Sequence, residues 1–287
     1  MVSSENSHIF IWKDFKEWKL TLESMFKDIL TPELIAKVKQ NRAIIEYCDI
    51  LEPFEKLAGH SIDSMVTTEK INEFRQRYSH IRVYHACRPI DVQSYYEKGL
   101  LLCDMNALVD RFRKIFLSGD YPELTEEMLQ KSIKEMAPFS VGRDGESCLH
   151  IDDRFLVEYC GHYLIYGSEY LSGLVTHLPI ENTKKDQYHF ALREIGKPTF
   201  LEINLPNTTE YIEDGIIYQI IREMLTGWTF CLAHSRMESC RFDCTVTLNK
   251  PLLPKHICSH YHPKKITDRG KIYDTETGEY KEKGSEE

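Results

Sequence analysis

IRVYHACRPIDVQSYYEKGLL, residues 81–101, changes character halfway along. IRVYHA is short, β-branched and aromatic, the composition of a strand. DVQSYYEKG carries a helical pattern stopped by Gly99. His85 and Arg88 stand where the strand should end, and their purpose decides how the rest of the chain is read. Upstream, KDFKEWKLTLESMFKDIL (13–30) spaces Phe15, Trp18, Leu22, Met25 and Ile29 by threes and fours. Thr31 and Pro32 predict the cap and first position of a second helix, and TTEKINEFRQRY repeats the pattern with Thr67 or Thr68 as cap. Residues 1–79 are therefore expected to form a helical N-terminal region.

Downstream, a helical insert is expected over about 104–136, with Thr125 as a cap and Leu129, Ile133 and Met136 buried. CLHIDD and FLVEYCGHYLIYG read as strands around a turn, and SEYLSGLVTHL as a helix capped by Ser168. PTFLEINLP, bounded by Pro198 and Pro206, reads as one strand, GWTFCLAH as another. RFDCTVTLN alternates Phe242, Cys244, Val246 and Leu248 against Asp243, Thr245 and Thr247, the mark of a half-buried antiparallel strand. DTETGEYKEKGSEE reads as a charged disordered tail, so the organisation expected is 1–79, 80–268 and a tail over 269–287.

A length of 287 residues, with 42% hydrophobic and 28% charged residues, belongs to an ordinary globular protein. The start has no basic region followed by a long apolar run, and no segment reaches the ~20 apolar residues needed to span a bilayer, so a cytoplasmic protein with no membrane partner is expected. Nine cysteines, odd in number and without a CxxC pair, suit reduced thiols. A formal charge of −9 argues against nonspecific binding to a phosphate backbone. Neither GxxxxGK[ST] nor GxGxxG after a strand occurs, nor a GxSxG elbow. Cys231, His234, Cys240, Cys244, His256, Cys258, His260 and His262 gather donors that zinc accepts, but in no tight pair-and-pair spacing, and no metal is assigned.

Three stretches in order resemble the motifs of the ADP-ribosyltransferase superfamily. VYHACRPIDVQSYYEKGLL is similar to the first, a strand ending in histidine and a helix leading to a glycine-leucine turn. FLVEYCGHYLIYGSEYLSGLV is similar to the second, a strand with a glycine-flanked tyrosine followed by a helix. HSRMESCRFDCTVTLNKPLLPKHI is similar to the third, an acid ahead of an amphipathic strand. The resemblance covers about residues 80–262 and lies nearest the His-Tyr-Glu branch, which includes diphtheria-type toxins and poly(ADP-ribose) polymerases. It implies an α+β fold with a mixed, mainly antiparallel ADP-ribosyltransferase-like split sheet. The activity implied is transfer of ADP-ribose from NAD to a protein or nucleic acid acceptor, or to water.

Breaking the nicotinamide-ribose bond passes through an oxocarbenium-like state, so a carboxylate at a ribose hydroxyl stabilises the developing charge. The resemblance puts Glu238 in that role, with Glu202 as the competing acid. His85 would bind a ribose hydroxyl, and Tyr163 or Tyr170 would stack on nicotinamide. Arg88 is expected on a phosphate of NAD. Ser168 joins the NAD-binding set as the serine that an Arg-Ser-Glu variant would use with Arg82, although Arg236 occupies the position where that variant needs an acid. The chain also departs from the polymerase branch by placing Ala86 and Cys87, not glycine and threonine, after the histidine. An activity of this class implies a toxin or defence effector with an inhibitor protein or a triggering signal. The contrasting readings are a noncatalytic α+β interaction protein and a zinc-stabilised module.

Overall fold

The computed structural model describes residues 8–42, 51–140, 143–234, 241–268 and 270–282. It is an α+β protein of helices and a mixed sheet. In chain order the elements are β1 (Ile9–Phe10), α1 (Phe15–Met25), α2 (Pro32–Gln40), α3 (Glu52–Ala58), α4 (Ile62–Met65), α5 (Thr68–Arg77) and β2 (His80–Cys87). There follow α6 (Gln93–Lys98), α7 (Met105–Phe116), α8 (Glu126–Ser140), β3 (Ser147–His150), α9 (Asp153–Tyr159), α10 (His162–Tyr166), α11 (Glu169–Thr176) and α12 (Asn182–Arg193). The last third holds β4 (Thr199–Pro206), α13 (Asp214–His234), β5 (Thr245–Leu248), β6 (Ile257–Tyr261), β7 (Lys265–Asp268), β8 (Lys271–Asp274) and β9 (Tyr280–Glu282). No described helix is long and apolar enough to cross a membrane.

The larger sheet runs β5-β3-β2-β4-β6, with β1 pairing β2 off this path. β1 is parallel to β2, Ile9 facing His80 and Phe10 facing Ile81. β4 and β6 are antiparallel, Leu201 opposite His260, with an irregularity between Glu202 and Ile203. The strand read from IRVYHA is thus the middle one. It is bounded as expected by a helix ending at Gly99, whose φ of 80° suits glycine.

The chain divides into two compact units, and neither is continuous in sequence. Unit 1 comprises 1–83, 150–152 and 204–246. In it the 21-residue α13 meets α1, α2 and α5. Trp12 stacks on Trp18 at 5.3 Å and 13°, and Phe54 meets Trp228 edge-on. The caps behave as their residue types dictate: Thr31 Oγ1 accepts from the Leu34 amide, while Pro32 takes the first helical position.

Unit 2 comprises 84–149, 153–203 and 247–287. Its core gathers Phe112 and Phe116 from α7, Leu129 from α8, Leu164 and Ile165 from α10, Leu171 and Leu174 from α11, Tyr188 from α12 and Phe200 from β4. The expected insert is present as α7 and α8, whose capping residue Thr125 accepts from the Met128 amide at 3.3 Å.

Three expectations are corrected. FLVEYCGHYLIYG forms α9 and α10, two short helices broken at Cys160–Gly161, because its buried residues Leu156, Leu164 and Ile165 fit helical turns. GWTFCLAH is the last part of α13. The six residues from Met224 to Thr229 are all buried there, so burial on every side leaves no helical stripe to read. The segment after 268 is not a disordered tail through its described length: β7, β8 and β9 form an antiparallel meander.

Candidate functional site

His85 lies near the end of the central strand and is partly accessible. Nδ1 sits 3.0 Å from the Cys148 carbonyl oxygen. A carbonyl only accepts, so Nδ1 carries the hydrogen and Nε2 of the neutral ring keeps its lone pair. Crowding by protein lowers the pKa, against the opposing effect of that carbonyl, which favours the neutral form at pH 7.

Alternation along β2 puts His85 and Cys87 on one face. Tyr95, from α6, covers that face: its ring centroid is 6.5 Å from that of His85 at 62°, and its hydroxyl bonds the Cys87 thiol. Burial pushes the Cys87 thiol up to about 12, and burial together with Cys87 pushes the Tyr95 hydroxyl higher still. Neither group ionises near pH 7. Arg111, half-buried on α7, lies within electrostatic reach of Tyr95.

A second polar group continues from Cys148. Arg143 is within electrostatic reach of Cys148, bonds the Tyr163 hydroxyl and lies 3.7 Å from Glu169 Oε2. Tyr163 donates to the same Glu169 oxygen at 2.9 Å. Burial first, and the carboxylate second, keep the Tyr163 proton in place. The arrangement can hold a hydroxyl at the neutral imidazole.

The residues singled out from the sequence have different fates. Tyr163 lies on α10, a helix and not the expected strand, with its hydroxyl donating to Glu169. Tyr170, on α11, is partly buried against the core of unit 2. Ser168 is a helix cap, accepting from the Leu171 amide at 3.3 Å. Arg88 is buried; Nε donates to the Ile195 carbonyl at 3.0 Å, Nη1 to the Leu164 carbonyl at 3.2 Å and Nη2 to the Arg193 carbonyl. Those bonds tie the ends of α10 and α12 and occupy the guanidinium that was expected on a phosphate. Glu238 and Arg236 lie outside the described residues.

Glu202 is half-buried and accepts from Ser259 Oγ across the β4–β6 pair. It shares a face of β4 with Phe200, which packs on Tyr84 and Tyr261, while Tyr261 donates to Asp153. Tyr84 and His85 point to opposite faces of β2, so Glu202 is turned to the packed side of the sheet and not to the His85 side.

Of the cysteine and histidine group, His260 Nδ1 is 2.8 Å from the Tyr96 hydroxyl, His262 Nδ1 is 2.8 Å from the Pro198 carbonyl, and Cys244 is buried. Cys240 lies outside the described residues. Among the described residues no three His, Cys, Asp or Glu side chains are grouped to hold a metal ion.

Sequence reading missed Tyr95, Arg111 and Arg143. For Arg111 a signal existed: Leu108, Arg111 and Ile115 are spaced by three and four, which places a charge in an apolar stripe. Compared with known proteins, the chain matches no family model, no curated protein and no solved structure.

Proposed function

We propose that the chain is an NAD-dependent ADP-ribosyltransferase, built on an ADP-ribosyltransferase-like form of the α+β sheet, that moves ADP-ribose to a protein or nucleic acid acceptor. The observation that carries this reading is the neutral, tautomer-fixed imidazole of His85 near the end of the middle strand. Its Nε2 lone pair suits a ribose hydroxyl, which donates to it and is thereby oriented without proton transfer. In the reaction the bond from ribose C1′ to the nicotinamide nitrogen breaks and its electron pair leaves with nicotinamide. The acceptor oxygen or nitrogen then bonds C1′ and loses its proton, or water does so in the hydrolytic variant. Glu238 is the acid assigned to stabilise the oxocarbenium-like state. Nicotinamide stacking falls to Tyr163, with Tyr170 second. The reading includes a cytoplasmic toxin or defence effector restrained by an inhibitor protein.

The test is nicotinamide release from NAD by the purified chain beside Glu238→Gln and His85→Ala. Release that falls roughly a hundredfold or more in the Glu238 variant supports the reading. No release together with no NAD binding by calorimetry ends it. The structural bonds made by Arg88 and Ser168 favour a second reading, a noncatalytic α+β interaction protein. NAD binding without release is its signature.

A further inference from the structure

We propose that His260 and His262 form a chelating pair for a divalent transition-metal ion of the zinc, nickel or copper class, a site independent of the transferase reading. Both side chains are exposed, on β6 and the residue that follows it, at the terminal strand of the larger sheet. Residues two apart project from the same side of a strand. Accordingly the two imidazole centroids stand 5.6 Å apart, with their planes at 68°. In a zinc site the ion lies about 2.0–2.1 Å from the imidazole nitrogen, and the ring centre roughly 1.1 Å behind it. Two rings that share one ion at about 109–120° therefore place their centroids about 5.2–5.5 Å apart. The observed spacing is that of two ligands of one ion to within about a few tenths of an ångström.

The hydrogen bonds behind the rings suit the same role. His262 Nδ1 is 2.8 Å from the Pro198 carbonyl oxygen and 3.2 Å from Thr199 Oγ1, whose own hydrogen goes to the Lys197 carbonyl at 2.8 Å. Both oxygens are left to accept, so Nδ1 carries the hydrogen and the lone pair of the neutral ring stays on Nε2. His260 Nδ1 is 2.8 Å from the Tyr96 hydroxyl, which can accept the Nδ1 hydrogen when Nε2 coordinates. An oxygen behind Nδ1 fixes the tautomer and the ring orientation and makes Nε2 a stronger donor, the usual support of a metal-bound histidine. Imidazole suits zinc, nickel and copper, whereas magnesium and calcium take oxygen ligands. Among the described residues no third His, Cys, Asp or Glu joins the pair, so water fills the other positions of the ion and the site is open, unlike the closed four-ligand sites that hold folds together. His260, His262, Tyr96, Pro198 and Thr199 all belong to unit 2.

Titration calorimetry of the full chain with Ni2+, and with Mg2+ as the oxygen-seeking control, tests this beside His260→Ala, His262→Ala, the double variant and Tyr96→Phe, each with intact near-UV circular dichroism. Ni2+ is expected to bind the wild type and to weaken at least about tenfold in either alanine variant. Each single change should cost nearly as much as both together, because a chelate needs both rings. Tyr96→Phe, which removes the oxygen behind His260 Nδ1, should cost severalfold, and Mg2+ should give no response that depends on the histidines. A wild type that does not bind Ni2+ overturns the proposal, and so does Ni2+ affinity unchanged in both alanine variants. Affinity lost in one alanine variant and kept in the other assigns the ion to a single imidazole and overturns the pair. If a variant does not fold, the wild type decides alone by long-range nitrogen-15 NMR of its imidazoles. Zn2+ should move the Nε2 resonances of both His260 and His262 while Nδ1 of each carries its hydrogen, and two unmoved rings overturn the site.

Discussion

Three carbonyl oxygens decide what removing Arg88 does, because that of Leu164 would be left buried, and those of Ile195 and Arg193 part-buried, without their charged donor. Hydrogen bonds to charged groups are worth about 1.5–3 kcal/mol each, and losses at one site are not additive. Arg88→Met, which keeps the apolar stem, should therefore destabilise the fold by about 3–5 kcal/mol in urea titration. A side chain reserved for a ligand phosphate would behave differently, losing ADP-ribose affinity at nearly constant stability. His85 supplies a second residue-scale expectation. Its folded pKa lies below the ordinary 6.5, as does that of His150, whose ring is desolvated although Nε2 lies 3.3 Å from Asp243. The unfolded chain thus takes up protons first as pH falls. The stability these rings contribute is complete above about pH 6.5 and is lost on acidification through their folded values. Urea midpoints should drop between pH 7.5 and 5, and His85→Asn should flatten that slope; an unchanged slope would place the His85 ring in water.

At the scale of elements, the junction of α9 and α10 is set by one glycine. A β-carbon on Gly161 would stand 2.1 Å from the Thr267 carbonyl oxygen and 2.5 Å from Ile266 Cγ2, so the helix corner touches β7 backbone to backbone. Gly161→Ala is expected to cost about 1–3 kcal/mol, as overpacking does. Equal urea midpoints for the variant and wild type would mean that the corner does not approach β7. This junction also shows why the second motif was misread: Phe155, Val157, Tyr159 and Tyr163 are strand-favouring types, and the contacts of α9 and α10 with β7, about a hundred residues further on, leave no local pattern. The central strand, the insert and the caps at Thr31, Thr125 and Ser168 were legible because period and capping chemistry are local. Of the site, His85 was legible for the same reason. Tyr95 was not, since only the fold brings α6 to the His85 ring on β2.

At the scale of the whole molecule, each unit is closed by a segment distant in sequence. The N-terminal helices are completed by α13, which no periodicity in residues 1–79 announces. The C-terminal meander is the corresponding case in unit 2. Tyr273 on β8 is 5% exposed, and Asp268 Oδ2 accepts from Tyr166 at 3.1 Å and from Tyr280 at 2.9 Å. Tyr280 thereby fastens β9 to the same carboxylate that holds α10, and the Arg193 guanidinium carbon stands 5.3 Å from its ring centroid. A chain ending at residue 268 would lose β8 and β9, and with them the buried Tyr273 ring, and would uncover Ile266 of β7. Burial of one such ring is worth about 1.5–3 kcal/mol, and each kcal/mol moves the melting temperature of a chain this size by roughly 2–4 °C. The truncated chain should thus melt at least several degrees lower than the full one by circular dichroism. A coincident melting curve would mean that the meander adds nothing to unit 2, and that the polar, charged composition of these residues, and not their strand pairing, describes what they do.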